Sequence, residues 1–268
     1  MFRKIILSLV FFVITLNAEF IGEAGYGYNY YRYTEPGLMK IQGNLQSVFT
    51  KLGYLGDEIG LELIYSQTFA PKTKYFGSTM SGIPVNAIPS KDNFWNLDFR
   101  FGRRMNMLGS NYDGLAYIGV GYRYLKNNVQ NEGGYTREQI YYYIPVGFYA
   151  IDGMGADGLS ARYGAEFRYM FLGTNKTHIG EAIPSINPSV LTFTQKNNFG
   201  LKVYIGFEYE IAQSFKIFTQ ATADYWYVKD SNTQSVTYIN NTSTLYQGYF
   251  VEPNNNTIQL GIEVGIGL

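Results

Sequence analysis

His178 is the only histidine in the chain, and Glu181 and Ser185 follow it closely. Serine, histidine and a carboxylate are the parts of a hydrolytic relay, in which the imidazole takes the hydroxyl proton and the acid orients the imidazole. That chemistry requires defined hydrogen-bond geometry on a rigid scaffold, and three such residues arise easily by chance in one polar stretch. Gly153 and Gly155 would cradle a phosphate only between a strand and a helix. No helix follows them in the sequence pattern, so they read as turn glycines. No His, Asp and Glu cluster has metal-ligand spacing. The absence of Cys excludes a thiolate metal site, a disulfide framework and an acylated-cysteine anchor. No cofactor is expected.

A more orderly set of polar groups recurs at every second position. Ile59, Leu61, Leu63 and Tyr65 alternate with Glu58, Gly60 and Glu62, and Trp95, Leu97, Phe99 and Phe101 alternate with Asn96, Asp98, Arg100 and Gly102. Leu159 to Tyr169 alternates with Ser160, Arg162, Gly164, Glu166 and Arg168, and Leu201 to Tyr209 with Lys202, Tyr204, Gly206 and Glu208. The last segment is the strictest: Ile258, Leu260, Ile262, Val264, Ile266 and Leu268 alternate with Gln259, Gly261, Glu263, Gly265 and Gly267. Period two gives each strand one apolar and one polar face. Weaker strands at 20–33, 38–52, 115–125, 138–150 and 215–228 bring the number to about ten, with eight or twelve as alternatives. Each is long enough for the roughly 9–11 tilted residues that cross a bilayer as a strand.

The connections alternate in length. Short turns are expected at 53–57, 105–113, 151–157 and 212–214, and long polar loops at 70–92, 126–137, 173–196 and 229–256. Only the outer connection at Glu35-Pro36-Gly37 is short. Within the last loop, 236–239 and 245–251 are expected to extend the final two strands. Arg3 and Lys4 precede an apolar run from Ile5 to Leu16, and Leu16-Asn17-Ala18 supplies a cleavage signal. These read as a signal peptide at 1–18 ahead of a single domain at 19–268. Aromatic residues make up 18% of the chain and charged residues 16%, which fits one lipid face offset by one polar face. Without Arg3 and Lys4 the net charge is near minus two, which offers nucleic acid no basic surface.

Together these features resemble the small bacterial outer-membrane β-barrels, the group that holds the OmpA-like and opacity-type adhesin barrels. The family's terminal assembly signal is similar to Gln259, Gly261, Val264 and Ile266, although the chain closes on Leu268 where the family usually has an aromatic residue. The resemblance implies an all-β, antiparallel, up-and-down transmembrane barrel in the outer membrane, and a monomer. Its implied partners are membrane lipid, lipopolysaccharide, the barrel-assembly machinery, and a host or cell-surface ligand at the loops.

With the apolar set on lipid, the lumen receives Glu23, Lys40, Glu58, Glu62, Asp98, Arg100, Arg104, Arg123, Arg162, Glu166, Arg168, Lys202, Glu208, Lys216, Asp224 and Glu263, eight acids and eight bases. Charges in a narrow lumen must be paired or wet, so balance predicts cross-barrel ion pairs that partly close it. Tyr117, Tyr141, Tyr143, Tyr149 and Tyr204 take up further room. The function expected is non-enzymatic: a structural or adhesin-like surface role through the external loops. The alternatives are a narrow channel for ions or small solutes and a barrel enzyme acting on lipid or peptide. Omptin-like proteases, also ten-stranded, need acidic residues and a His on opposing barrel lips, and His178 alone matches no such motif.

Overall fold

Strands with one apolar and one polar face must cover the apolar one, and here the sheet closes on itself with its apolar face outward. The computed structural model describes residues 19–78, 82–105, 112–130, 134–239 and 244–268; the expected signal peptide lies outside them. In chain order the strands are β1 (Glu19–Glu35), β2 (Met39–Leu55), β3 (Ile59–Ser78), β4 (Pro84–Arg104), β5 (Tyr112–Val129), β6 (Thr136–Gly153), β7 (Leu159–Thr177), β8 (Leu191–Gln195), β9 (Asn198–Ala212), β10 (Phe215–Val228), β11 (Gln234–Ile239), β12 (Leu245–Phe250) and β13 (Asn255–Gly267). β8 and β9 form one wall strand interrupted at Lys196-Asn197, where Asn197 takes a φ of 57°. Both halves pair with β7 in one register, Gly173 opposite Gln195 and Met170 opposite Asn198. β13 returns to β1, from Glu23 opposite Gly267 to Thr34 opposite Asn256. The result is a closed, antiparallel, ten-stranded barrel without an open edge.

The outward faces carry the apolar alternation. Ile205 is 66% exposed, Ile262 60% and Val203 49%, and Leu63, Leu97, Phe99, Val120 and Phe167 are exposed with them. A continuous apolar belt of this extent does not face water; it faces lipid. At the outer margin of the belt lie Tyr30, Phe69, Trp95, Tyr122 and Tyr124, with Trp95 stacked on Tyr122 at 4.6 Å. At the inner margin Phe20 meets Tyr54 edge to face at 5.8 Å. Two such aromatic rows mark the two membrane interfaces. Among the described residues, no helix is long and apolar enough to cross a membrane, and the crossing is made by strands.

The turns at the inner end fall where alternation stops, at 56–58, 154–158 and 213–214; much of the expected turn at 105–113 lies outside the described residues. Gly155, with a φ of 72°, sits in such a turn. The outer loops are shorter than expected because the strands run on past the belt. β3 continues to Ser78 and β4 starts at Pro84, so most of 70–92 is strand. The alternation was lost there because Ala70, beside Pro71, and Ala87 take left-handed φ values of 45° and 59°, and the register shifts between Gln67 and Thr73. Similarly, β5 runs to Val129, β6 begins at Thr136, and β7 continues to Thr177. The segments at 236–239 and 245–251 do not prolong the last strands. β11 and β12 pair with each other as a separate hairpin.

Candidate functional site

The inward faces of the membrane-spanning half bring charge together in one continuous line. Lys216 lies 3.3 Å from Glu208, Arg162 3.4 Å from Glu208 and 3.1 Å from Glu23, and Lys51 2.8 Å from Glu23 and 3.8 Å from Glu62. Arg100 lies 3.6 Å from Glu62 and 2.6 Å from Glu166, Arg168 lies 2.5 Å from Glu166 and 2.7 Å from Asp224, and Arg123 lies 4.0 Å from Asp224. Bases and acids alternate along the whole line, so each interior member has two partners of opposite charge. That is the arrangement that offsets the several kcal/mol each buried ion loses on leaving water.

Rings close the gaps between the guanidinium groups. Arg162 lies over Phe218 at 3.8 Å, Arg100 over Tyr117 at 4.3 Å and Arg168 over Trp226 at 5.4 Å. Asp98 stands beside the line and accepts a hydrogen bond from the Tyr143 hydroxyl at 2.6 Å. The space left is a cavity of about 140 Å³, a polar site with room for several waters.

The expected lumen residues do not all join the line. Lys202 points inward from β9, in register with Glu166 and Asp224, but forms no ion pair within the described residues. Glu263 accepts a hydrogen bond from Gln220 at 2.6 Å. Arg104 sits at the inner rim with Asp113 at 2.7 Å and Glu19 at 3.7 Å. Two assignments are corrected. Glu58 lies exposed in a turn, and Lys40 points outward over the Phe76 ring at 5.0 Å. Lys51, on the opposite face of β2 from Lys40, takes the place expected for it. The polarity pattern inverts on this part of β2 because Met39, Ile41 and Leu45 are apolar yet buried inside the barrel.

Those three belong to a second filling above the ionic one. Tyr31, Tyr33, Met39, Ile41, Leu45, Phe94 and Leu125 form a buried apolar cluster. Beside it Asp92, fully buried, is bonded by Thr73, by Ser90 at 3.1 Å and by Asn127 at 2.8 Å. At the outer rim Arg137 lies 2.5 Å from Glu35 and 3.4 Å from Glu252 and donates to the Tyr135 hydroxyl at 2.8 Å. Burial, reinforced by the Glu35 carboxylate, pushes the Glu252 carboxyl up to about 7 against the pull of Arg137. Sequence reasoning missed this triad, whose members are separated by more than a hundred positions in the chain and share no local pattern.

The hydrolytic candidates are not brought together. His178 Nε2 lies 3.2 Å from Glu138 on the outer wall, Glu181 accepts from the Thr136 amide at 2.7 Å, and Ser185 donates to the Ile239 carbonyl at 2.9 Å. They help hold a cap instead. Ile179, Ile186, Leu191, Phe193 and Val236 form an apolar cluster against which Tyr135, Ile183, Tyr238 and Phe250 pack, and Asn187 bridges to Thr237 of the hairpin. Among the described residues no group of His, Asp and Glu could hold a metal ion.

On β13, Val264 and Ile266 face outward and Gln259 and Gly261 inward, and Leu268 just beyond its end is exposed. Gly261 is set by close approach of the neighbouring strand: a Cβ there would lie 2.8 Å from the Tyr28 carbonyl oxygen.

A closed ten-stranded barrel with a lipid-facing belt, aromatic margins and a polar lumen is a bacterial outer-membrane β-barrel. Among solved structures, the chain is similar to the outer membrane protease OmpT from Escherichia coli, at 11% identity over 95% of this chain and 99% of that one, with a TM-score of 0.59. It also matches the translocator domain of the autotransporter NalP from Neisseria meningitidis, at 8% identity over 97% and 93% of the two chains, with a TM-score of 0.40. Neisserial surface protein A matches at 12% identity over 92% and 98%, with a TM-score of 0.33. No protein-family model and no curated protein sequence matches the chain. The likeness to OmpT is one of fold.

Proposed function

We propose that the protein is a closed, non-enzymatic barrel that acts as a scaffold, holding a folded outer cap against surfaces or ligands. The observation that carries this reading is the double filling of the lumen, an alternating ion-pair line with about 140 Å³ of free space under a buried apolar cluster. A channel that selects ions needs a through-path lined by a charge bias, whereas the line with Asp98 beside it holds six bases and six acids. Support for a surface role comes from the cap, whose own apolar core makes it a preformed surface on a rigid support. An enzymatic role draws no support from His178, Glu181 and Ser185, which bond to other groups.

In the same reading Gln259, Gly261, Val264, Ile266 and Leu268 form the signal by which the assembly machinery takes up the last strand, residues 1–18 are removed on export, and the barrel works as a monomer. The test is conductance of the refolded protein in a planar bilayer, with heat-modifiable gel mobility measured on the same sample. A heat-modifiable, silent barrel is the expected result, and steady salt-dependent steps would replace the scaffold with a narrow channel.

A further inference from the structure

Six cations project from the barrel wall above the aromatic margin, all on one side: Arg32 on β1, Lys40 on β2, Lys72 and Lys74 on β3, Lys91 on β4 and Lys126 on β5. Each is exposed. The register makes them neighbours. Gln42 stands opposite both Arg32 and Lys74, and Thr34 stands opposite Lys40. Lys72 and Lys91 flank the cross-strand pair Thr73–Ser90, and Lys126 stands opposite Asn93, two residues from Lys91.

The acids of this quarter of the barrel turn the other way: Glu35 and Asp92 are buried inside. None of the six cations forms an ion pair among the described residues. Glu138 on β6, opposite Lys126, carries the first outward carboxylate among the described residues and ends the band. Beyond it the charges balance, with Glu138 opposite Lys176 and 3.2 Å from His178.

Depth identifies what neutralises the band. Arg32 lies two residues beyond Tyr30, Lys126 two beyond Tyr124, and Lys91 four from Trp95. At about 3.3 Å per residue the cations stand roughly 7–13 Å along the tilted strands from the aromatic row. Aromatic rows mark the interface, so the band lies at the level of the outer leaflet's headgroups, where basic clusters attract anionic lipid. Directly below, Val48, Leu63 and Leu97 present an exposed apolar wall for acyl chains.

We infer that the β1–β5 wall is a docking site for a multiply phosphorylated glycolipid of the outer leaflet, with the phosphates on the band and the chains on the wall beneath. The inference rests on the barrel's place in the membrane and is independent of what the cap or the lumen does.

The test uses the full barrel refolded into phosphatidylcholine nanodiscs and titrated with bisphosphorylated lipid A, with bound lipid counted by native mass spectrometry. The R32Q/K72Q/K74Q/K91Q variant should bind lipid A at least about ten-fold more weakly than the wild type. Lipid A stripped of phosphate should bind the wild type as weakly, and K176Q on the opposite wall should bind as the wild type does. Heat-modifiable mobility certifies each barrel, with K72Q/K74Q in reserve if the quadruple variant does not fold. Equal binding by variant and wild type, or by lipid A with and without phosphate, would overturn the assignment. So would phosphatidylglycerol binding as tightly as lipid A, because a single phosphate does not need a band.

Discussion

Glu252 sits in an environment that neither its type nor its neighbours in sequence suggest. It is buried outside the membrane, shares Arg137 with Glu35, and titrates near 7 in place of the ordinary 4.5. A carboxyl raised in the folded state favours folding while it is protonated. Its contribution is fully present below about pH 4.5 and is lost as the pH rises through about 7. The amides of the cap around β11 and β12 should therefore show higher protection factors, with the base-catalysed rise of intrinsic exchange divided out, at pH 5.5 than at pH 8. Glu252→Gln should remove most of that difference; an unchanged pH dependence in the variant would place the titration elsewhere. The same buried triad explains why Arg137 is held at the rim, far from the lumen line.

At the scale of the element, one rule governs the strands within the belt and another governs them above it. In the belt the outward face meets lipid, so Val203→Arg should cost about 2–4 kcal/mol if it lies near the bilayer midplane, read as a lower urea midpoint of the refolded barrel. Lys202→Gln, one residue away and facing inward, should leave that midpoint nearly unchanged. If both variants unfold alike, the faces of β9 are misassigned. Above the belt water surrounds the wall, and apolar side chains such as Ile41, Phe94 and Phe193 turn inward or into the cap while others, Ile83 and Leu245 among them, stay exposed. Phe193 on β8, 2% exposed in the cap cluster, ties the outer end of the wall to the β11–β12 hairpin. Phe193→Ala should cost about 3–5 kcal/mol locally and sharply accelerate proteolysis of the outer loops. Heat-modifiable mobility should be retained, because no barrel pairing depends on that ring.

For the molecule as a whole, the lumen line couples opposite walls that share no hydrogen bonds. Arg162 on β7 reaches Glu23 on β1, and Arg100 on β4 reaches Glu166 on β7. These contacts brace the cylinder against flattening and fill its cross-section. Arg100→Ala would leave Glu62 and Glu166 facing each other without the cation between them. A buried ion deprived of its partner costs about 3–5 kcal/mol, so this one substitution should lower the unfolding midpoint of the barrel more than any exposed lysine. An Arg100→Ala barrel as stable as the wild type would mean that water, and not pairing, carries the lumen charges.

Alternation by itself determined that the chain is a barrel, which membrane it suits, and which face of most belt strands meets lipid. It could do so because lipid and lumen impose opposite polarities on successive residues, a constraint written at the shortest possible range. The terminal strand from Ile258 to Leu268 and the inward Asp98, Arg100, Glu166 and Arg168 were legible for that reason. Tertiary structure decided the rest. Which acid meets which base depends on the stagger of strands distant in sequence, so the order of the line from Lys216 to Arg123 is written in no segment. Bulges at Ala70 and Ala87 hid the outer hairpins by breaking the period. Above the belt no lipid enforces alternation, so the pattern puts Lys40 inside although it points outward, and the separate β11–β12 hairpin and its cap follow only from the packing of the loops against one another.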